Sequence, residues 1–192
     1  MKLVLITGKK GSGKSTFLEI AKERGYNIEE VDWGYQKLIL ENNPKLATLP
    51  PPNEWEEHVM KLVFEEYWTK KYDQDAIIFF TGLYRPSEVN YLRSLAGVSL
   101  KIVSIVVDDD TVRYQRLLRR ARGKEANYTI DDYKLKDLHR DGSPEAYKNN
   151  SISTIMSLAD YEIKNNNLDK FKEDAKHLID VLEKNYLKRV IA

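Results

Sequence analysis

The stretch LVLITGKKGSGKST, residues 3–16, limits the fold of this chain more than any other feature. Its first four residues are apolar, which is typical of a strand buried on both faces of a parallel sheet. A glycine-rich turn follows, and then Phe17, Ile20 and Ala21 recur at helical spacing. The turn satisfies the pattern G-x-x-x-x-G-K-[ST] through Gly8, Gly13, Lys14 and Ser15. A strand, this turn and a helix in that order predict a phosphate-binding loop.

The residue types of the turn are those that a bound triphosphate requires. Glycines let successive backbone N–H groups point at phosphate oxygens, Lys14 can reach the terminal phosphates, and the Ser15 hydroxyl can coordinate Mg²⁺. Tight strand–helix packing would explain the glycines, but it has no use for a lysine followed by a hydroxyl. We therefore predict a nucleotide site made by Gly8, Gly11, Ser12, Gly13, Lys14, Ser15 and Thr16, with Ser15 as the metal ligand.

Candidate strands and helices alternate along the rest of the chain. Strand patterns occur at residues 26–32, 76–80, 100–107 and 160–164, and apolar residues at helical spacing lie between them and after the last one. Such alternation predicts an α/β fold with a mostly parallel sheet. At 192 residues the chain is long enough for one substantial core. We expect one domain over residues 1–192, with a lid inserted at about 111–150.

The composition narrows the function classes. The formal net charge is +1, so nothing pulls the chain as a whole toward nucleic acid or an anionic membrane, and an anion site must be local. There is no cysteine, which excludes disulfides and fits a cytoplasmic protein. The apolar run at residues 3–6 is too short for a signal-peptide core, and no segment has the roughly 20 apolar residues of a membrane helix.

Three further segments carry a resemblance to a known family. They are FFTGLYR after the strand at 76–80, RYQRLLRRAR after the strand at 100–107, and ADYEIKNN before the final helix. Together with the loop they resemble the P-loop nucleoside and nucleotide kinases, in particular dephospho-coenzyme A kinases and archaeal adenylate-kinase-related proteins. The resemblance implies a three-layer fold around a five-stranded parallel sheet and a basic helical lid over ATP. It also implies transfer of the γ-phosphoryl group to a small acceptor, either dephospho-coenzyme A or a nucleoside monophosphate.

The resemblance also assigns two acidic positions at strand ends, and only one of them is acidic here. Asp32 lies where these kinases keep an aspartate that faces the acceptor or the metal, although an aspartate at this place could equally cap the next helix. At the second position the relatives have an acid before glycine, whereas this chain has Thr81 before Gly82. A hydroxyl adds no charge beside Mg²⁺, so Asp32 would have to act alone.

Four further residues are candidates for contact with substrates. Arg85 stands three residues after Gly82, where the relatives grip the acceptor phosphate, but it could also be an exposed residue at a helix start. Arg119, with Arg122 as a second choice, is the predicted lid arginine that stabilises the transferring phosphoryl group. Asn165 matches the segment beside the purine ring, yet it could simply turn the chain.

Rival functions remain open on the sequence alone. The leading one is an ATP-dependent phosphotransferase with a small-molecule acceptor, and the alternative is a nucleotide-binding switch, or a weakly active P-loop NTPase, without kinase turnover. A GTPase is disfavoured because the chain has no Asn-Lys-x-Asp motif. The helix predicted over RYQRLLRRAR, residues 113–122, is called the arginine helix here. Its apolar second face and the balanced net charge of the chain argue against nucleic-acid binding. The oligomeric state cannot be inferred from the sequence.

Overall fold

The computed structural model describes residues 1–31, 60–121, 126–143 and 150–186, and its described strands form one parallel sheet. The strand order is β2-β3-β1-β4-β5. The strands are β1 (Lys2–Thr7), β2 (Asn27–Glu30), β3 (Ile77–Thr81), β4 (Ser99–Val106) and β5 (Tyr161–Lys164). The predicted α/β fold with a five-stranded parallel sheet is confirmed.

Helices connect the strands. They are α1 (Lys14–Glu23), α2 (π-helical over Val63–Trp68, then α-helical over Thr69–Lys71), α3 (Pro86–Ser94), α4 (Asp110–Arg120), α5 (Ile130–Arg140), α6 (Ile152–Ser157) and α7 (Leu168–Asn185). Within the described ranges, no helix combines the length and apolar character needed to cross a membrane.

The sheet separates two apolar cores. On one face α1 and α7 bury Phe17 and Phe171 against Phe79. On the other face α2 and α3 bury Trp68 and Val89, among other side chains. The central strands β1 and β3 are apolar on both sides because both faces are covered by helices, which is why their cores appear in the sequence as unbroken apolar runs. This is the expected three-layer arrangement.

Helices α4 and α5 form a separate unit with a small core of its own. Tyr114, Leu117 and Tyr133 are buried against one another there. The arginine helix is less regular than its spacing predicts, because Leu118 is 38% exposed while Arg113 is 1% exposed. Arg113 is therefore a buried cation, whereas Arg119 and Arg120 of the same helix are exposed.

Candidate functional site

The loop between β1 and α1 has the shape of an anion cradle. Gly13 caps the N-terminus of α1 with φ of 114°, no side chain caps this helix end, and its first turn contains no acidic residue. A Cβ at Gly13 would lie 2.3 Å from the Asn165 side-chain nitrogen, so a larger residue does not fit. The first N–H groups of a helix have no acceptor within the helix, and their partial positive charge favours a phosphate. The loop therefore fits the triphosphate predicted from its sequence.

Lys14 is held by the loop itself. Its ammonium group donates hydrogen bonds to the carbonyl oxygens of Gly8 at 2.7 Å and Lys9 at 3.1 Å. These contacts keep the Lys14 amino group at the mouth of the cradle, where it can reach phosphate oxygens. The ammonium is thus positioned before any anion arrives.

Asn165 is a neighbour of the loop. It is 3% exposed, its side-chain amide donates to the Ser12 carbonyl at 2.7 Å, and its backbone carbonyl accepts from Arg116 at 2.8 Å. The side-chain amide of Asn165 therefore fixes the loop against the end of β5. The predicted contact between this segment and the purine stays a prediction.

A cavity of about 200 Å³ opens at the carboxyl ends of the central strands. Its wall combines loop residues with residues of β2, β3, α4 and α5, and the last two are the helices of the predicted lid. The lining residues are Lys10, Gly11, Gly13, Lys14, Ser15, Thr16, Glu30, Thr81, Gly82, Tyr84, Arg120 and Arg140. The cavity thus unites the loop lysine, the Ser15 hydroxyl, a carboxylate and two guanidinium groups.

The carboxylate of this cavity belongs to Glu30, which was not among the site residues predicted from the sequence. Glu30 is the last residue of β2 and pairs in register with Thr81 of β3, the position where an acid is replaced by a hydroxyl. Gly82 keeps these strand ends close, because a Cβ there would lie 2.1 Å from the Val31 carbonyl oxygen. Asp32 lies outside the described residues. The signal that could have found Glu30 was an acid at the end of the strand pattern predicted at residues 26–32.

Two arginines approach the cavity from helices α4 and α5. Arg120 ends α4 and Arg140 ends α5, and both line the cavity. The ring of Tyr84 lies 5.6 Å from the Arg140 guanidinium. Arg119 and Arg120 are both exposed, but only Arg120 lines the cavity, so position favours Arg120. Arg122 lies outside the described residues.

Arg85 is engaged at the start of α3. Its guanidinium lies 3.6 Å from the Glu88 carboxylate, which is buried and also accepts a hydrogen bond from the Arg85 backbone. It is not among the residues that line the cavity. The predicted grip of Arg85 on an acceptor phosphate stays a prediction.

The described residues suit Mg²⁺ that arrives with phosphate. They contain no group of three or more His, Cys, Asp or Glu side chains that could hold a metal ion. The Ser15 hydroxyl and the Glu30 carboxylate share the cavity and offer hard oxygen atoms. Mg²⁺ is usually bound by one or two protein oxygens together with phosphates and water, and these two side chains match that coordination preference.

Positive charge is concentrated around Lys14. Desolvation by burial, followed by the charges of Arg140, Arg120 and Arg113, lowers the pKa of Lys14 to about 7, and Asp137 acts in the opposite direction. A bound triphosphate would offset the repulsion from these three arginines and would raise the pKa of Lys14 again.

This lowered pKa predicts a pH-dependent stability of the nucleotide-free protein. Unfolded Lys14 titrates near 10.5 and folded Lys14 near 7, so the unfolded state binds more protons between these values. The free energy of unfolding should therefore rise from pH 7 to 9, by up to about 1.4 kcal/mol per pH unit. Urea unfolding at several pH values measures the slope. Lys14→Met should flatten it, and an equal slope in both proteins would contradict the assignment.

Comparisons with known proteins agree with this geometry. A family profile described as an AAA domain matches residues 4–137. A UPF0200 protein of Methanococcus vannielii is 34% identical over 93% of this chain and 95% of its own length.

Solved structures share the fold at low sequence identity. Shikimate kinase from Bacteroides thetaiotaomicron superposes with a TM-score of 0.58 at 17% identity, covering 94% of this chain and 98% of its own. A gluconokinase from Sinorhizobium meliloti gives a TM-score of 0.54 at 17% identity, covering 96% and 94%. The architecture described above is therefore that of P-loop kinase-like proteins.

Proposed function

This chain belongs to the AAA-domain family and to the UPF0200 proteins, and from that premise we propose that it is a small-molecule kinase that uses Mg-ATP. One observation carries the proposal. The cavity at the phosphate loop joins Lys14, a strand-end carboxylate and two lid arginines. A phosphate-binding loop alone would serve a switch equally well. The added acid and arginines are the groups that phosphoryl transfer needs.

The loop and Lys14 bind and orient the triphosphate. Backbone N–H groups at the start of α1 and the Lys14 ammonium face the cavity, so they neutralise charge on the phosphates without moving. Ser15 would hold Mg²⁺, which supplies charge stabilisation at the transferring phosphoryl group when it is bound. These residues fix one reactant in place, which is a large part of catalysis for this kind of reaction.

Glu30 is the described residue that can act on the acceptor. Its carboxylate lies beside Thr81 at the ends of neighbouring strands. From there it can accept the proton of an acceptor hydroxyl or orient metal-bound water. Asp32, two residues later, is proposed to share this task.

Arg120 and Arg140 are proposed to stabilise the transferring group. Charge spreads over the equatorial oxygens of the phosphoryl group during transfer, and a guanidinium can bind two of them. Both residues end lid helices, so lid closure would bring them down together. They would also exclude water, which otherwise competes with the acceptor.

A nucleotide-like acceptor is proposed, either dephospho-coenzyme A or a nucleoside monophosphate. The support is the resemblance of the loop, the FFTGLYR segment and the arginine helix to those kinases. Tyr84 and Arg140 lie together on the cavity wall beside Thr81, where they offer a ring face and a positive charge. Both features suit a small anionic molecule.

A nucleotide-binding switch is the second candidate, and Thr81 is the observation that favours it. The nucleotide kinases that the chain resembles carry an acid at this position that supports the metal, and Thr81 contributes no carboxylate. Glu30, which pairs with Thr81 on the neighbouring strand, supplies a carboxylate in place of the missing acid. For this reason we rank the kinase above the switch.

A panel of acceptors tests the proposal. Purified protein is incubated with Mg-ATP and each nucleoside monophosphate, dephospho-coenzyme A, shikimate or gluconate, and phosphorylated product is measured by mass spectrometry. We expect transfer to one anionic acceptor and little ATP consumption without it. Tight Mg-ATP binding with no product from any acceptor would favour the switch.

The arginine assignment gives a matched pair of variants. Arg120→Ala should lower kcat about tenfold, the size of one charge-assisted hydrogen bond, and should change the Mg-ATP affinity less. Arg119→Ala tests the sequence-based choice on the same helix turn, and we expect a smaller loss because Arg119 does not line the cavity. Steady-state kinetics of both variants decide between them. A larger loss of kcat in Arg119→Ala would return the assignment to Arg119.

A further inference from the structure

Arg113 of α4 is a buried cation with contacts to three parts of the site. Its side chain is 1% exposed. The guanidinium donates from Nε to Asp110 at 2.9 Å, from Nη1 to the Lys10 carbonyl at 2.8 Å, and from Nη2 to Asp137. These contacts join its own helix, the phosphate loop and the lid helix α5. Burying an arginine is costly unless its donors are satisfied, so this geometry is strongly specified.

Asp137 of α5 lies between Arg113 and Arg140, a residue of the cavity wall. It is 12% exposed and also accepts a hydrogen bond from the Tyr114 hydroxyl at 3.1 Å. Its other oxygen lies 4.0 Å from the guanidinium of Arg140, three residues later on α5. Residues three apart share a helix face, so the position of Asp137 sets the position of Arg140. The ion pair between Arg113 and Asp137 therefore affects the position of Arg140, which lines the cavity.

The loop end of the connection is close-packed. A Cβ at Gly11 would lie 3.0 Å from Cγ of Arg113 and 3.0 Å from Cγ of Leu117. The stem of Arg113 therefore packs on the loop while its head binds the Lys10 carbonyl. Any movement of Arg113 would shift loop and lid together.

We propose that Arg113 and Asp137 are a positioning pair that clamps lid helix α5 to the phosphate loop and thereby places Arg140 in the cavity. The inference rests on the proposed kinase site for its consequence in catalysis. Neither residue needs to touch the nucleotide. Without the pair, α5 is held on α4 mainly by the small apolar cluster of Tyr114, Leu117 and Tyr133. We therefore expect the lid to move while the main fold persists.

Distance measurements test the clamp directly and need no activity. The chain has no cysteine, so Lys22→Cys on α1 and Leu135→Cys on α5 give two labelling sites, both exposed. Pulsed electron paramagnetic resonance between two spin labels should give one narrow distance distribution in the protein that carries only the two cysteine substitutions. Asp137→Asn and Arg113→Met should broaden the distribution and lengthen it. Asp131→Asn removes an exposed carboxylate from the same helix and should leave it unchanged.

Kinetics test the consequence for Arg140. Asp137→Asn should lower kcat about tenfold while the KM for ATP changes little, and Asp137→Glu should restore part of the loss. Arg140→Met should lower kcat in the wild-type background and have a much smaller effect in the Asp137→Asn background. Additive effects of the two changes would overturn the coupling.

The outcomes separate the clamp from the kinase assignment. Unchanged distance distributions in folded Asp137→Asn and Arg113→Met overturn the clamp, even if transfer is observed in the wild type. A broadened distribution in a protein that phosphorylates no acceptor supports the clamp and counts against the kinase. Circular dichroism verifies folding, and if Arg113→Met fails to fold, the milder Asp137→Asn decides the matter.

Discussion

Lys14→Ala is expected to weaken Mg-ATP binding about 100-fold or more. The substitution removes a positive charge held at the cavity by two loop carbonyls, and loss of one partner from a buried charge pair has effects of this size. The Gly13 cap and the close contacts of the loop do not depend on the ammonium, so the loop should still fold. Isothermal titration calorimetry with Mg-ATP measures the loss.

Two controls sharpen this experiment. Lys22→Ala removes an exposed lysine from the last turn of the same helix and should bind Mg-ATP as the wild type does. Thermal unfolding of Lys14→Ala verifies that the fold is intact. Wild-type affinity and turnover in Lys14→Ala would refute the phosphate-loop interpretation.

Glu30→Gln is expected to lower phosphoryl transfer about 100-fold, which is the usual scale for a positioned acid–base group. The amide has the shape of the carboxylate but cannot accept the acceptor proton or add negative charge beside Mg²⁺. Binding of Mg-ATP should change much less. Single-turnover kinetics together with calorimetry separate the two effects.

Three companion variants show how the strand-end acids divide the work. Asp32→Asn tests the acid chosen from the sequence, and a comparable loss would mean that the two share the task. Thr81→Asp should restore some transfer to Glu30→Gln, because it places a carboxylate at the paired position of the neighbouring strand. Glu19→Gln changes an exposed acid of α1 and should be silent. Full activity in Glu30→Gln and loss only in Asp32→Asn would exclude Glu30.

The phosphate loop could be predicted from the sequence because all its parts are contiguous. Strand, turn and helix follow one another within residues 3–16, and each residue type has a local reason to be there. The parallel sheet was predictable for a similar reason, since a strand buried on both faces must be apolar throughout. Chain order alone then placed helices between the strands.

The remaining parts of the site depended on contacts between distant segments. Glu30 meets Thr81 through the register of β2 on β3, which no local pattern shows. One residue along a helix is a rotation of about 100°, so the packing of Tyr114 and Leu117 decides that Arg120 and not Arg119 faces the cavity. Arg113 is buried because Asp137, on another helix, satisfies its charge. Local propensity places a residue on an element, but the rotation and register of that element are settled only when its core packs.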